Sequence, residues 1–399
     1  MALSAGDPPP AAEVDAPPAR APELTIIYSA GLEGYLTPCG CDEGQTGGLA
    51  AWATVADEAR RSAGGATVWI DGGDVADSAV RVPYVLEAYR ELGCDLVCLS
   101  PRDVALGIAA AASGDIGLAF ASAAEAPVHT IRTGDYRVRA QVVAPDTPCP
   151  QCPGGADAYA LVRRADLQSN LAWAAGTAAW DAPVVVLGDP AEEPMAEISG
   201  QIAVVQGAPR GGSVVAVDLA ARDGRLVPLD VRRTAVSDKA PRHPVVQRVA
   251  DRYYREQQGA LQAADDAPDP AAALEERGVA LAVDCRPCHQ SAYEVWQASR
   301  HARAFETLRS RGRLVAECVA CHSQAYRDTG QLAAPAAPTG EQSLTCMACH
   351  GAATTHAMTG DPQFITRPAS EAACTPCHRA PHITGPFDWE AGRERIRHW

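Results

Sequence analysis

The sequence predicts an α/β sandwich domain followed by a mainly α domain that cannot build its interior from side chains alone. Three observations predict this. Short apolar bursts of strand length alternate with amphipathic stretches through about residues 23–235. A five-residue cysteine pattern recurs four times after residue 280. The segment carrying it has few large hydrophobes for its length: Phe305, Phe364, Phe387, Tyr293, Tyr326 and three Trp.

Four zones follow along the chain. Residues 1–22 are a Pro/Ala-rich spacer without periodicity, expected to be disordered. In residues 23–235, Leu24 to Tyr28, Ala66 to Ile70 and Asp95 to Leu99 are expected strands, and Leu49 to Arg61 and Tyr84 to Leu92 are expected helices. Further strands are expected at Pro183 to Leu187, Ile202 to Gln206, Ser213 to Leu219 and Leu226 to Val231. Residues 236–280 read as a charged helical connector, and 281–399 hold the cysteine repeats.

Composition narrows the function. Hydrophobic residues at 47% and charged residues at 21% describe an ordinary soluble chain. A net charge of -15 argues against nucleic acid, which needs clustered Lys and Arg. No apolar run is long enough to span a membrane. The first residues lack the basic and apolar regions of an export signal, yet the Pro/Ala stretch suits the spacer after a signal or lipid anchor. A periplasmic or extracellular protein whose signal is missing from this sequence is expected.

The repeated pattern is Cys-x-x-Cys-His: Cys285, Cys288 and His289; Cys318, Cys321 and His322; Cys346, Cys349 and His350; Cys374, Cys377 and His378. Two thiols one helical turn apart can each add to a vinyl group of one porphyrin, and the adjoining imidazole reaches its iron. Zinc knuckles would need paired motifs sharing a metal and would leave each trailing His without a role. Four covalently bound haem c groups are therefore expected, and they would supply the missing apolar interior. The first cysteines are separated by 33, 28 and 28 residues, a spacing set by attachment and not by a solenoid unit.

Four histidines of the segment remain for the second axial position: His301, His356, His382 and His398. His301 is expected on a helix running from Tyr293 to Phe305, and His356 in a short loop after the third motif. His382 follows the fourth motif by four residues, and Met358 is the competing ligand. An iron with two imidazoles is coordinatively full and exchanges electrons only. An iron left with one could bind a small molecule.

This order of motifs, with Trp296-x-x-Ser299-x-His301, Gly385-Pro386-Phe387-Asp388 and Ile396-x-His398, resembles the tetrahaem cytochrome c-554 family. The resemblance covers about 281–399. It implies closely packed haems in stacked pairs, mostly bis-His, acting as an electron relay between redox partner proteins. One alternative is an oxidoreductase acting on a small nitrogen or sulfur species at one five-coordinate haem.

The first domain also has a recognisable outline. Leu24 to Tyr28, Gly34 to Cys41, Gly47-Gly48-Leu49-Ala50, Asp71-Gly72-Gly73-Asp74 and Gly207 to Leu219 resemble 5'-nucleotidase-type metallophosphatases. The resemblance implies a two-sheet sandwich with two metals between strand ends. A dimetal hydrolase needs carboxylate, His and Asn ligands on several loops. Here Gly31-Leu32-Glu33, Ser100-Pro101-Arg102-Asp103 and Gly188-Asp189-Pro190-Ala191 stand where the family has its ligand motifs, and only Asp74 is plainly retained. His129 is the sole imidazole before His243. An inactive scaffold or docking domain is expected; a metallophosphatase with a haem accessory is the other alternative.

Six cysteines lie outside the motifs: Cys39, Cys41, Cys94, Cys98, Cys149 and Cys152. Cys39 with Cys41 and Cys149 with Cys152 are close pairs in Pro/Gly loops, open to disulfides, to a shared metal site or to a redox dithiol at Cys149 and Cys152. Cys94 and Cys98 are equally compatible with a bridge or with buried thiols.

Overall fold

The computed structural model describes residues 21–38, 40, 45–111, 118–124, 127–263, 280–330, 332, 339–366, 369–379, 382–383 and 385–398. Cys39, Cys41 and nearly all of the spacer lie outside them.

Among the described residues, twelve strands form two six-stranded sheets. The first has the order β12-β11-β1-β2-β3-β4, with β1 Leu24–Ser29, β2 Ala66–Asp71, β3 Leu96–Leu99, β4 Phe120–Ser122, β11 Ser213–Arg222 and β12 Arg225–Ala235. The second has the order β5-β6-β7-β8-β10-β9, with β5 His129–Thr133, β6 Tyr136–Val143, β7 Ala158–Arg163, β8 Val184–Leu187, β9 Ala196–Ser199 and β10 Ile202–Val205. β1 to β4 run parallel. So do β6, β7, β8 and β10. Antiparallel strands close both edges of the second sheet (β5 and β9) and the β12 edge of the first, whose other edge is the parallel β4.

The sheets pack face to face. Leu24, Ile26 and Tyr28 on β1, Val68 and Ile70 on β2, and Val138, Val185 and Val205 from the opposite sheet form one buried layer. Residues of opposite parity face outward to helices. Ile27, Trp69 and Val97 pack under α1 (Leu49–Ala63), α2 (Val82–Glu91) and the long helix Pro244–Ala263. On the other side Tyr159, Val184, Val186 and Val204 pack under the helix Leu167–Ala174. The expected strands and helices are present to within a few residues. The connector helix is not free-standing: Val246, Val249, Ala250 and Tyr253 are buried in the core beneath α1 and α2.

The described residues from 281 onward are mainly helical and thinly packed. One cluster comprises Phe305, Leu308, Leu314, Val319 and Leu332, and a second comprises Ala280, Met347 and Ala353. Among the described residues no helix is long and apolar enough to cross a membrane.

Candidate functional site

Each Cys-x-x-Cys-His motif sits on or just after a turn of helix, which puts cysteine and histidine on one side. The His289, His350 and His378 amides donate to the carbonyls of Cys285, Cys346 and Cys374, at 2.9, 3.0 and 2.9 Å. Cys318, Cys321 and His322 all lie in the helix Ala316–His322.

The spare histidines come to meet them. The rings of His289 and His356 lie 6.0 Å apart, those of His301 and His378 6.1 Å, and those of His350 and His398 5.9 Å, between centroids. A metal ion held between two imidazoles needs about 2 Å on each side, and the two half-rings account for the remainder. His382 lies within electrostatic range of His322 of the second motif. Met358 is 82% exposed, so it is not drawn toward this interior.

Hydrogen bonds orient the rings. Nδ1 of His322, His350, His356 and His398 meets the carbonyl oxygens of Ala304, Thr366, Asp361 and Ile396, at 2.8 to 3.0 Å. A carbonyl only accepts, so the proton resides on Nδ1 and Nε2 keeps its lone pair for a metal. Burial lowers the pKa of His301, His322, His378 and His382, which favours the neutral, ligating form. The His378 ring also stacks on Phe387 at 4.7 Å.

Two local expectations change. The helix expected to carry His301 ends at Ala298, because Ser299 is extended, and His301 opens a separate short turn. His356 lies in the helix Thr354–Thr359, not in a loop, with Gly360 closing it in the left-handed conformation.

Contacts between thiols show how the motifs adjoin. The Cys285 and Cys346 thiols are close neighbours, as are those of Cys321 and Cys377. Cys349 acts electrostatically on Cys374. The motifs therefore neighbour one another in the order first, third, fourth, second. Four thiol pairs, facing imidazoles and an interior short of apolar side chains together fit covalently attached haem.

The second motif abuts the first domain. Arg81 pairs with Glu317 at 2.8 Å, and Tyr253 donates to the same carboxylate. Arg313 lies 3.9 Å over the Tyr254 ring and donates to Thr37 Oγ1, and Arg311 donates to the Gly40 carbonyl. The Gln45 amide donates to the His382 carbonyl at 3.2 Å.

In the first domain, the loops at the carboxyl ends of the parallel strands converge, the usual position of a site in such sheets. Glu33, Asp74, Ser100, Asp103 and Asp189 gather there, joined by Arg164 after β7 and by Arg210. Glu33, Asp74 and Arg210 adopt positive φ of 52°, 55° and 53°, conformations that persist only when surroundings hold them. Gly73 has φ 96°, and a Cβ there would lie 2.5 Å from the Cys98 carbonyl oxygen.

This cluster does not fit a dimetal centre. Arg164 lies 2.5 Å from Asp74 and 2.9 Å from Asp189, and it donates to the Gly72 carbonyl. Asp74 also accepts from Ser100 at 2.6 Å. The fully buried Asp103 accepts from the amides of Asp74, Val75 and Ser100. Arg210 lies 3.6 Å from Glu33 and 2.8 Å from Glu192. Each carboxylate that could serve a metal already has a partner, and among the described residues no three His, Cys, Asp or Glu converge to hold an ion. Sequence reasoning missed Arg164; an arginine after an apolar strand carries no signal of its partners.

Asp71 lies beneath this edge, fully buried, accepting from Ser29, Tyr89 and the Gly73 amide. Burial outweighs those bonds and raises its pKa from 3.8 to about 7. A folded pKa above the unfolded value contributes stability that is complete below about pH 4 and lost as pH rises through about 7. The span corresponds to about 4 kcal/mol. We expect Asp71→Asn to flatten that falling limb, measured as urea midpoints at pH 5 and pH 8; an unchanged slope would refute the assignment.

Cys149 and Cys152 are free thiols, with Cys152 bonded to Asp181 at 3.2 Å. Cys94 and Cys98 are buried and free. His129 lies in the edge strand β5.

The family described as Cytochrome c554 and c-prime matches residues 284–351. The C-terminal part carries a cytochrome c554-type segment. The match spans the first three motifs, and the fourth follows it. No curated protein matches the chain. Solved structures similar to it include a Thermus thermophilus sulfate thiohydrolase, SoxB, at 15% identity and TM-score 0.42, covering 64% of this chain and 63% of that one. A 5'-nucleotidase precursor from the same organism shows 16% identity and TM-score 0.48, covering 60% and 59%. A putative 5'-nucleotidase from Staphylococcus aureus shows 16% identity and TM-score 0.46, covering 59% of each chain. The chain thus spans less than two thirds of each of these proteins.

Proposed function

We propose that this protein is a multihaem c-type cytochrome that relays electrons outside the cytoplasm between redox partner proteins, its first domain serving as an inactive scaffold. The observation carrying this reading is the three facing imidazole pairs, each joining a motif histidine to a histidine distant in sequence. Haem bound there would supply one-electron exchange. The chain's own part is positional. Cys285, Cys288, Cys318, Cys321, Cys346, Cys349, Cys374 and Cys377 provide the attachment thiols. His289, His322, His350 and His378 would each offer an imidazole to the iron of their own motif, and His356, His382, His398 and His301 respectively would offer the second imidazole. Backbone carbonyls fix four of the eight rings with Nε2 available.

The Arg164 pairing supports an inactive first domain, because it occupies the carboxylates that hydrolysis would need for metal. Pyridine haemochrome on purified protein is expected to give four haems per chain, with an entirely low-spin ferric resonance spectrum. Fewer than four haems would overturn the reading. A second reading, small-molecule chemistry at the second motif, is favoured by one observation: His322 and His382 are neighbours without the facing ring contact of the other pairs. One high-spin haem that binds carbon monoxide would establish it.

A further inference from the structure

We propose that the relay is polarised by charge: its first-motif end has the lowest midpoint potential, and its second-motif end, walled by the first domain, has the highest. This rests on the relay reading above. The thiol contacts order the motifs first, third, fourth, second, so the first and second motifs are the two ends.

The ends differ in charge. At the first motif, Asp284 directly precedes Cys285 and accepts from the Leu281 amide at 2.9 Å. Glu341, 6% exposed, accepts from the amides of Ala282 and Val283 at 2.9 and 3.0 Å, against the same turn. Both act electrostatically on Cys285, and Glu341 also on Cys346. Asp284 and the nearby cation Arg286, directed to Gln290 and over Tyr293, are both exposed, so the buried Glu341 is the charge that sets this end apart.

At the second motif, guanidinium groups dominate. Arg81 and Arg313 act on Cys318, Arg311 on His322, and Arg81 and Arg379 on His382, while Arg327 and Arg379 are shared between Cys321 and Cys377 of the fourth motif. The opposing carboxylates are Glu317 and Asp77, both paired with Arg81, and Asp328, bonded to Gln324. Arg311 and Arg313 are engaged instead by a carbonyl, a hydroxyl and an aromatic face.

A ferric site carries one more positive charge than a ferrous one. Carboxylates stabilise the oxidised form and guanidinium groups the reduced form, more strongly where water is excluded. Arg81, Gln45 and the carbonyl of Gly40 belong to the first domain, which gives that domain a role: it walls the electron-accepting end and contributes to its charge.

Redox titration of full-length holoprotein, followed in the visible bands, tests this. Glu341→Gln is expected to raise the lowest of the midpoints and leave the highest in place. Arg313→Gln is expected to lower the highest and leave the lowest in place. A several-fold change in the local reduced-to-oxidised ratio is the scale expected, where tenfold is about 59 mV for one electron. Because Glu341 also anchors a helix start, Asp284→Asn serves as its second variant. Shifts of the opposite midpoint, or no shift in either variant, would overturn the polarity while leaving a four-haem relay intact. A holoprotein with fewer than four haems would instead overturn the relay reading itself.

Discussion

His356→Ala is expected to convert one of four haems from low-spin to high-spin and open it to carbon monoxide, leaving the other three unchanged. The His356 ring lies 6.0 Å from that of His289, and its Nδ1 is held by the Asp361 carbonyl at 3.0 Å. Its Nε2 is therefore the only nitrogen free to serve as a ligand, and alanine leaves nothing in its place. His398→Ala should act likewise through His350, and His301→Ala through His378. Electron paramagnetic resonance counts the result directly as one high-spin centre per chain. His382→Ala is the informative comparison. A new high-spin centre there assigns His382 to the His322 iron, whereas a wild-type protein already carrying one shows that iron to be open. Retention of four low-spin haems in His356→Ala would refute the pairing.

Arg164→Met should destabilise the first domain without touching haem content. Its guanidinium joins Asp74 and Asp189, which come from loops after β2 and β8. Removing one partner of a buried ion pair costs about 3–5 kcal/mol. These side chains are 22%, 23% and 38% exposed, so solvent screening reduces the effect. About 2–3 kcal/mol is the expected loss, or a fall of several degrees in Tm for a domain of this size. Calorimetry with and without divalent metal decides the matter. If added manganese or zinc stabilised the wild-type protein and metal analysis found it bound, the arginine would not be standing in for a metal.

Both predictions depend on contacts between residues far apart in the chain, and neither could be written from sequence. The Cys-x-x-Cys-His motifs could, because thiols and imidazole are brought together by a single helical turn. Strands β1, β2, β3, β8, β10, β11 and β12 were legible for a similar reason: buried apolar runs such as Val184 to Leu187 have few other uses. β6 was missed because Arg137, Arg139 and Gln141 on its outer face break up any continuous apolar run, leaving only the alternating Tyr136, Val138, Ala140 and Val142, and β7 because it follows a Pro/Gly-rich loop. The second sheet supplies them with neighbours that no local pattern announces.

The sequence by itself determined which residues of the C-terminal segment are suited to attach cofactor, which imidazoles remain, and that side chains alone do not fill its interior. It also showed the first domain's ligand motifs to be eroded. Only the tertiary structure decided which histidine faces which, that the motifs adjoin in the order first, third, fourth, second, and that Arg164 takes up the remaining carboxylates. The reason is physical. Covalent attachment needs five consecutive residues on one turn of helix, whereas a facing imidazole or an ion pair needs a position in space. His301 and His378 meet across 77 residues of chain only because packing brings two turns together.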